Sequence, residues 1–284
     1  MSAILVPVDF SDTSKKALQY AANIAQASSR PIKVVHFFDT VVPLGIAYPP
    51  SSFIEKASNE SHHEIEKELA EFVKDIQKMK YKDLDQNLHI HLEVIDGDPI
   101  YKIEELSQEN KIDLIVMGTT GASGLAEIFG TVTYEVISRV SVPVLAVPSQ
   151  SQVKEIKHIV YATDLGEDEE KTINALRVLS EDFDASLTCL HFNTKYSEFN
   201  QERKRILDLS EKYAFTPINK LNFELVAKSK VEEGLVDYLE EIKADVVAIK
   251  PQDRGFIANL FHTSLTKKMA FHGKIPVLVI KKDI

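Results

Sequence analysis

With 284 residues, 44% of them hydrophobic and 27% charged, the chain has the composition of an ordinary globular protein and the length of about two domains. A disordered chain, a collagen-like repeat and a disulfide-rich mini-scaffold are excluded. The net charge is −10 and no basic run exceeds Arg203-Lys204-Arg205, which argues against a nucleic-acid groove or an anionic membrane surface, since both need clustered positive charge.

Short runs rich in Val, Ile and Leu, bounded by turn residues, predict buried parallel strands over about 3–8, 32–38, 88–95, 112–117 and 142–147. Between them Ala17, Ala21, Ile24 and Ala25 keep helical spacing behind Ser11 or Asp12 as N-cap. Ile65, Leu69, Phe72, Val73 and Ile76 line one face of a longer helix. The plan then recurs, with strands at about 157–162, 185–192, 221–227, 244–250 and 275–280. Alternation of strand and helix predicts a doubly wound α/β fold, whose ligands sit beyond the carboxyl ends of the strands where the strand order reverses.

The recurrence is an internal repeat. Ile4-Leu5-Val6-Pro7-Val8-Asp9-Phe10 matches Ile159-Val160-Tyr161-Ala162-Thr163-Asp164-Leu165 at an offset of 155, and the same offset carries His36 onto His191. Lys111-Ile112-Asp113 matches Lys243-Ala244-Asp245 at 132, and Val142-Pro143-Val144-Leu145 matches Ile275-Pro276-Val277-Leu278 at 133. Two homologous domains are expected, 1–150 and 151–284, joined near Ser149-Gln150-Ser151-Gln152. They differ electrostatically: the first carries 13 basic and 21 acidic side chains, the second 20 and 22. Cys189 is the only cysteine, so an intrachain disulfide and a Cys-rich metal site are excluded. The N-terminus has no basic region ahead of its apolar run, and no stretch approaches the ~20 apolar residues of a membrane span. A cytoplasmic protein is expected.

Four of the ten glycines, Gly118, Gly121, Gly124 and Gly130, fall within thirteen residues, after the fourth strand and before a helix starting near Thr131. Glycine lets an anion approach main-chain N–H groups, and a helix start adds unpaired donors and a positive dipole end. The arrangement suits a phosphate cradle; tight turns on the surface are the other reading. No Gly-Lys-Ser/Thr follows, so it is not a Walker A loop, and its spacing and position differ from the dinucleotide fingerprint.

Val6-Pro7-Val8-Asp9-Phe10-Ser11, Val35-His36-Phe37, Met117-Gly118-Thr119-Thr120-Gly121-Ala122-Ser123-Gly124 and Val142-Pro143-Val144-Leu145 together resemble the universal stress protein family. The resemblance covers nearly the whole chain as two tandem domains. It implies a Rossmann-like, adenine nucleotide alpha hydrolase-like fold, with each five-stranded parallel sheet in the order 3-2-1-4-5 and pairing through strand five. It also implies that some members bind ATP or AMP and others bind no nucleotide. Nucleotide-binding members have Gly, two residues, Gly, nine residues, Gly, then Ser or Thr. Here Gly118 and Gly121 match the first pair and Gly130-Thr131 the last, but only eight residues separate Gly121 from Gly130. The second domain keeps nine residues and has lost the glycines, with Lys250, Asp253, Thr263 and Ser264 at these positions. A carboxylate at Asp253 would repel phosphate.

By the same resemblance, Pro7, Val8 and Asp9 border adenine and ribose. Phe37 stacks on the base or fills its pocket, and Met117 covers the base. Gly118, Thr120, Gly121, Gly130, Thr131, Val132 and Thr133 ring the phosphates. Asp9 has a second reading as a helix cap after strand one, since it recurs as Asp164. The implied ligand is adenine nucleotide, ATP or AMP, with or without Mg, acting as a regulatory ligand in a stress response. Pairing of the two domains within the chain is expected, and a homodimer and a protein partner are left open. A nucleotide-free interaction module is the alternative, motivated by the short loop and Phe37. No Gly-x-Ser-x-Gly elbow or nucleophile–base pair occurs, so an enzyme is not expected; slow ATP hydrolysis is a third reading that no identifiable base supports.

The remaining constellations read as structure. His36 and His191 are expected as satisfied core histidines and Cys189 as an inert small hydrophobe. His62-His63 and His89/His91 lack a recognised metal spacing. Glu167-Asp168-Glu169-Glu170 reads as the negative first turn of a helix. Val41 to Phe53, with Pro43, Pro49 and Pro50, reads as an extended loop packed on its own domain, or else a lid or docking segment.

Overall fold

The structure, a computed structural model, describes residues 2–39, 51–78, 88–109, 111–119, 131–166, 168–214, 220–250 and 274–281. The chain divides into two compact units, 1–140 and 141–284.

The first unit runs β1 (Ala3–Val8), α1 (Asp12–Ser28), β2 (Ile32–Phe38), α2 (Ser51–Val73), β3 (Ile90–Asp96), α3 (Pro99–Gln108), β4 (Ile112–Gly118) and α4 (Thr131–Arg139). Its sheet has the order β3-β2-β1-β4, with every pairing parallel. Ile4, Leu5 and Val6 are buried on both faces of β1, which is why the central strand reads as an unbroken apolar run. Against it lies α1, whose Ala17, Ala21, Ala22 and Ala25 are all buried, so small side chains bring the helix axis close to the sheet. The Ser11 hydroxyl caps α1 by accepting the Ser14 N–H at 3.1 Å. On α2, Leu69 and Val73 face the core, joined by Ile76 just beyond. The helix begins at Ser51, so the last three residues of the proline-bearing stretch are helical rather than extended. Its remainder, with Val42, Leu44, Ile46 and Tyr48, lies outside the described residues.

The second unit contains β5 (Val144–Val147), β6 (His158–Ala162), α5 (Glu169–Phe183), β7 (Ser186–Asn193), α6 (Phe199–Tyr213), β8 (Leu221–Ala227), α7 (Val231–Glu241), β9 (Val246–Ile249) and β10 (Val277–Val279). Strands β10-β9-β6-β7-β8 are mutually parallel, and β5 runs antiparallel to β10 with Val144 opposite Val279. The fifth strands of the two repeats thus pair with each other. Within this unit the order β8-β7-β6-β9-β10 is the expected 3-2-1-4-5.

A carboxylate ties down the start of the first strand in each repeat. Asp113 accepts the Ser2 hydroxyl at 2.6 Å and Arg30 Nη1 at 3.0 Å. Its counterpart Asp245, 5% exposed, accepts the main-chain N–H groups of Lys157 (2.7 Å) and His158 (2.9 Å) and pairs with Lys154. Hydrogen bonds to an ionised acceptor are worth ~1.5–3 kcal/mol, so these carboxylates are fold anchors.

Candidate functional site

At the carboxyl ends of β1, β2 and β4, where the strand order of the first unit reverses, lies a cleft of about 330 Å³. Pro7, Val8, Asp9, Phe37, Met117, Gly118, Thr131, Val132 and Thr133 line it. Every site residue expected from the sequence that falls in the described part is therefore brought to one place; Thr120, Gly121 and Gly130 lie outside the described residues. Four further side chains border the cleft: Ser14, His36, Pro99 and Ile103. The Asp98-Pro99 pair was a legible helix-start signal, with Asp98 accepting the N–H groups of Ile100 (2.8 Å) and Tyr101 (3.2 Å). That α3 would present Pro99 and Ile103 to β1 and β4 was not legible.

The junction of β1 and α1 builds one wall. Asp9 Oδ1 accepts the Ser11 N–H at 3.1 Å and its hydroxyl at 2.5 Å, while Ser14 Oγ donates to Ser11 O at 2.9 Å. Asp9 thus fixes the turn, and Ser11, not Asp9, caps the helix. A carboxylate accepts up to about four hydrogen bonds, so holding Ser11 and accepting ribose hydroxyls are compatible. The second repeat builds the same turn, with Asp164 Oδ1 accepting the Gly166 N–H at 3.0 Å. Between carboxylate and helix the chain passes through left-handed backbone in both repeats, at Phe10 (φ 61°) and Leu165 (φ 56°). For a side-chain-bearing residue this costs on the order of 1 kcal/mol. Ring packing holds Phe10 there: it stacks on His36 at 4.3 Å and meets Phe72 edge-on at 5.5 Å.

His36 is both a core residue and a wall of the cleft. Its Nδ1 lies 2.8 Å from Val8 O; a carbonyl only accepts, so Nδ1 carries the proton. His191 Nδ1 makes the same 2.8 Å contact with Thr163 O. The recurring histidine therefore laces the second strand of each repeat to the end of the first.

On the opposite wall, Gly118 touches α1. A Cβ added there would lie 2.8 Å from Thr13 Cγ2, so this glycine is required by helix packing whatever it offers a ligand. The Thr133 hydroxyl, expected among the phosphate contacts, donates instead to Gly118 O at 2.8 Å and ties the first turn of α4 to the tip of β4. What α4 turns toward the cleft is its N-terminal end, whose first turn contains no acidic residue.

In the second unit, Phe192 takes the place of Phe37 and is buried against Gly234 of α7, where an added Cβ would meet its Cε1 at 2.8 Å. Lys250 stands at the Gly118 position; Asp253, Thr263 and Ser264 lie outside the described residues. Cys189 is buried, and that burial pushes its thiol well above the ordinary range, as an inert hydrophobe requires. The acidic run opens α5 as expected, with Glu169 and Glu170 in its first turn, while Glu167 lies outside the described residues. Asp168 precedes α5 in left-handed backbone (φ 58°) without a side-chain cap, and Glu169 turns inward. Among the described residues no cluster of three or more His, Cys, Asp or Glu is arranged to hold a metal, and no helix is long and apolar enough to cross a membrane.

A sequence model of the universal stress protein family matches residues 1–148 and again 155–281. The chain belongs to the universal stress protein family. Universal stress protein MJ0531 of Methanocaldococcus jannaschii is 34% identical over 145 residues, covering 51% of this chain and 80% of its own. Universal stress protein YxiE of Bacillus subtilis is 31% identical over 150 residues, covering 51% of this chain and 97% of its own. Each of these relatives thus corresponds to about half of the tandem. Along the whole chain, the crystal structure of a universal stress protein from Archaeoglobus fulgidus superposes with a TM-score of 0.72 at 18% identity, covering 99% of this chain and 98% of that one. At that identity the likeness establishes the fold.

Proposed function

We propose that the first unit of this tandem universal stress protein binds an adenine nucleotide, ATP or AMP, as a regulatory ligand. The observation that carries this reading is the convergence of Asp9, Phe37, Met117 and the start of α4 on one cleft at the strand-order reversal. The chemistry is graded across it. Pro7, Phe37, Ile103 and Met117 supply an apolar end suited to a base, Asp9 a carboxylate suited to ribose hydroxyls, and α4 a positive dipole end suited to phosphate. Mg would arrive with the phosphates. In this reading the nucleotide is held rather than turned over: the Asp9 carboxylate is assigned to the ribose end of the cleft, away from the phosphates, and the Thr133 hydroxyl donates to Gly118 O. Ligand occupancy then shifts a conformational or partner-binding equilibrium by its differential affinity for the two states.

A second reading, a nucleotide-free assembly module, is favoured by one observation: the Thr133 hydroxyl is spent internally. The two are separated by denaturing the purified protein and analysing the released small molecules by mass spectrometry, together with melting curves at millimolar ATP. Released adenine nucleotide and an upward shift support the first reading. Neither would leave the assembly module.

A further inference from the structure

The charges that the fold gathers at the ligand end of the first unit's sheet are acidic. Asp9 and Asp39 directly follow β1 and β2, Asp96 closes β3, and Asp98 caps α3 just beyond it. From Met117 at the end of β4 to Thr133, the sequence holds no Lys or Arg and one acid, Glu127. The first basic residues after β1, β3 and β4 are Lys15, Lys102 and Arg139. Each is paired: Lys15 with Asp75 at 3.5 Å, Lys102 with Glu105 at 2.9 Å and Arg139 with Glu135 at 3.2 Å. Among the described residues lining the cleft, Asp9 is the only acidic or basic side chain besides His36.

What attracts an anion here is the start of α4. Its first turn contains no acidic residue, and a helix N-terminus supplies roughly half a positive charge with its unpaired N–H groups, an effect that fades within one turn. A phosphate monoester brings about two negative charges at neutral pH, enough to use that end fully. Further phosphates add charge beside the carboxylates of the same sheet edge, and like charges repel. The cleft, at about 330 Å³, also stands near the lower limit of the ~300–1,000 Å³ usual for small-molecule sites.

We propose that this cleft selects an adenine nucleoside monophosphate over the triphosphate. The inference rests on the nucleotide reading above and narrows it. The single phosphate is held at the start of α4, and the acidic edge of the sheet weakens binding of longer phosphate chains without abolishing it. Val132, 38% exposed in the first turn of α4 and lining the cleft, is where an added cation should relax the selection.

Isothermal titration of the full chain with adenosine, AMP and ATP, each at low and physiological salt and with and without Mg, tests this. AMP should bind more tightly than adenosine, and at least fivefold more tightly than ATP at low salt. That preference should narrow as salt rises, because the screening length falls from ~30 Å at 0.01 M to ~8 Å at 0.15 M. Val132→Lys should raise the affinity for ATP more than that for AMP. ATP binding as tightly as AMP, with or without Mg, overturns the selection while leaving the nucleotide reading intact. So does a preference that salt does not change, or adenosine binding as tightly as AMP. Binding of none of the three overturns the nucleotide reading and this inference together. Should V132K fail to fold, the salt dependence of the wild type decides.

Discussion

Gly118→Ala separates two reasons for placing a glycine at the end of β4. A Cβ there would lie 2.8 Å from Thr13 Cγ2, 3.3 Å from Thr13 Cβ and 3.2 Å from its carbonyl carbon. Carbon atoms settle at ~3.5–4.0 Å, so the shortest contact must open by several tenths of an ångström. Thr13 is buried on α1 and β-branched, with little torsional freedom to yield, so the helix itself has to move off the sheet. Overpacking of this kind costs ~1–3 kcal/mol. Displacing the Gly118 carbonyl also weakens its bond from Thr133, worth about 1 kcal/mol. For a unit of this size, ~2 kcal/mol corresponds to a fall in melting temperature of roughly 5–10 °C. Calorimetry of G118A should show that fall in ligand-free protein, and adding Thr13→Ser, which removes Cγ2, should recover most of it. A G118A variant that melts with the wild type while losing ligand affinity would refute the packing argument, leaving the glycine there for ligand approach alone.

Three further outcomes are expected. Glu169 has its carboxyl raised in the folded state, so the folded chain holds more protons than the unfolded one above the ordinary carboxylate range; stability falls as pH rises through that window. E169Q should therefore be more stable at neutral pH by ~1 kcal/mol, the relief of burial less the lost helix-start charge, and its melting temperature should vary less between mildly acidic and neutral pH. Replacing His36 or His191 by Leu removes the matching 2.8 Å bond to Val8 O or Thr163 O; each should cost ~1–3 kcal/mol in urea unfolding, and equal nucleotide affinity in H191L would confirm that only the first unit is read by that ligand. Asp245→Ala removes a buried acceptor shared by two main-chain N–H groups and should cost ~1.5–3 kcal/mol; a loss under ~1 kcal/mol would contradict its role as an anchor.

Much of the architecture was legible because buried parallel strands write themselves as unbroken apolar runs. β1, β4 and β7 carry such runs, and the edge strands β3 and β8 alternate instead, since only one of their faces is covered. Residue chemistry narrowed the cap of α1 to Ser11 or Asp12, and the structure selects Ser11. The cleft was legible where one strand end or one loop supplies it, at Pro7 to Asp9 and Met117-Gly118. It was not legible at Ser14, Pro99 and Ile103, which reach it only through the placement of α1 and α3 against the sheet. Gly118 shows a different limit: close approach to a helix and close approach to a phosphate call for the same residue. Glu169 shows a third. A run of four acids reveals charge but not which member faces inward, and that phase is set by the left-handed Asp168 at which α5 begins.

The account turns on which part of the chain meets the nucleotide. Photolabelling with an azido-adenine nucleotide, followed by peptide mapping, reports this directly. Labelled peptides containing Phe37 or Met117, protected by excess ATP and lost in an Asp9→Ala variant that still folds, are the predicted result. Labelling confined to residues 141–284, or labelling that ATP does not compete away, would contradict it.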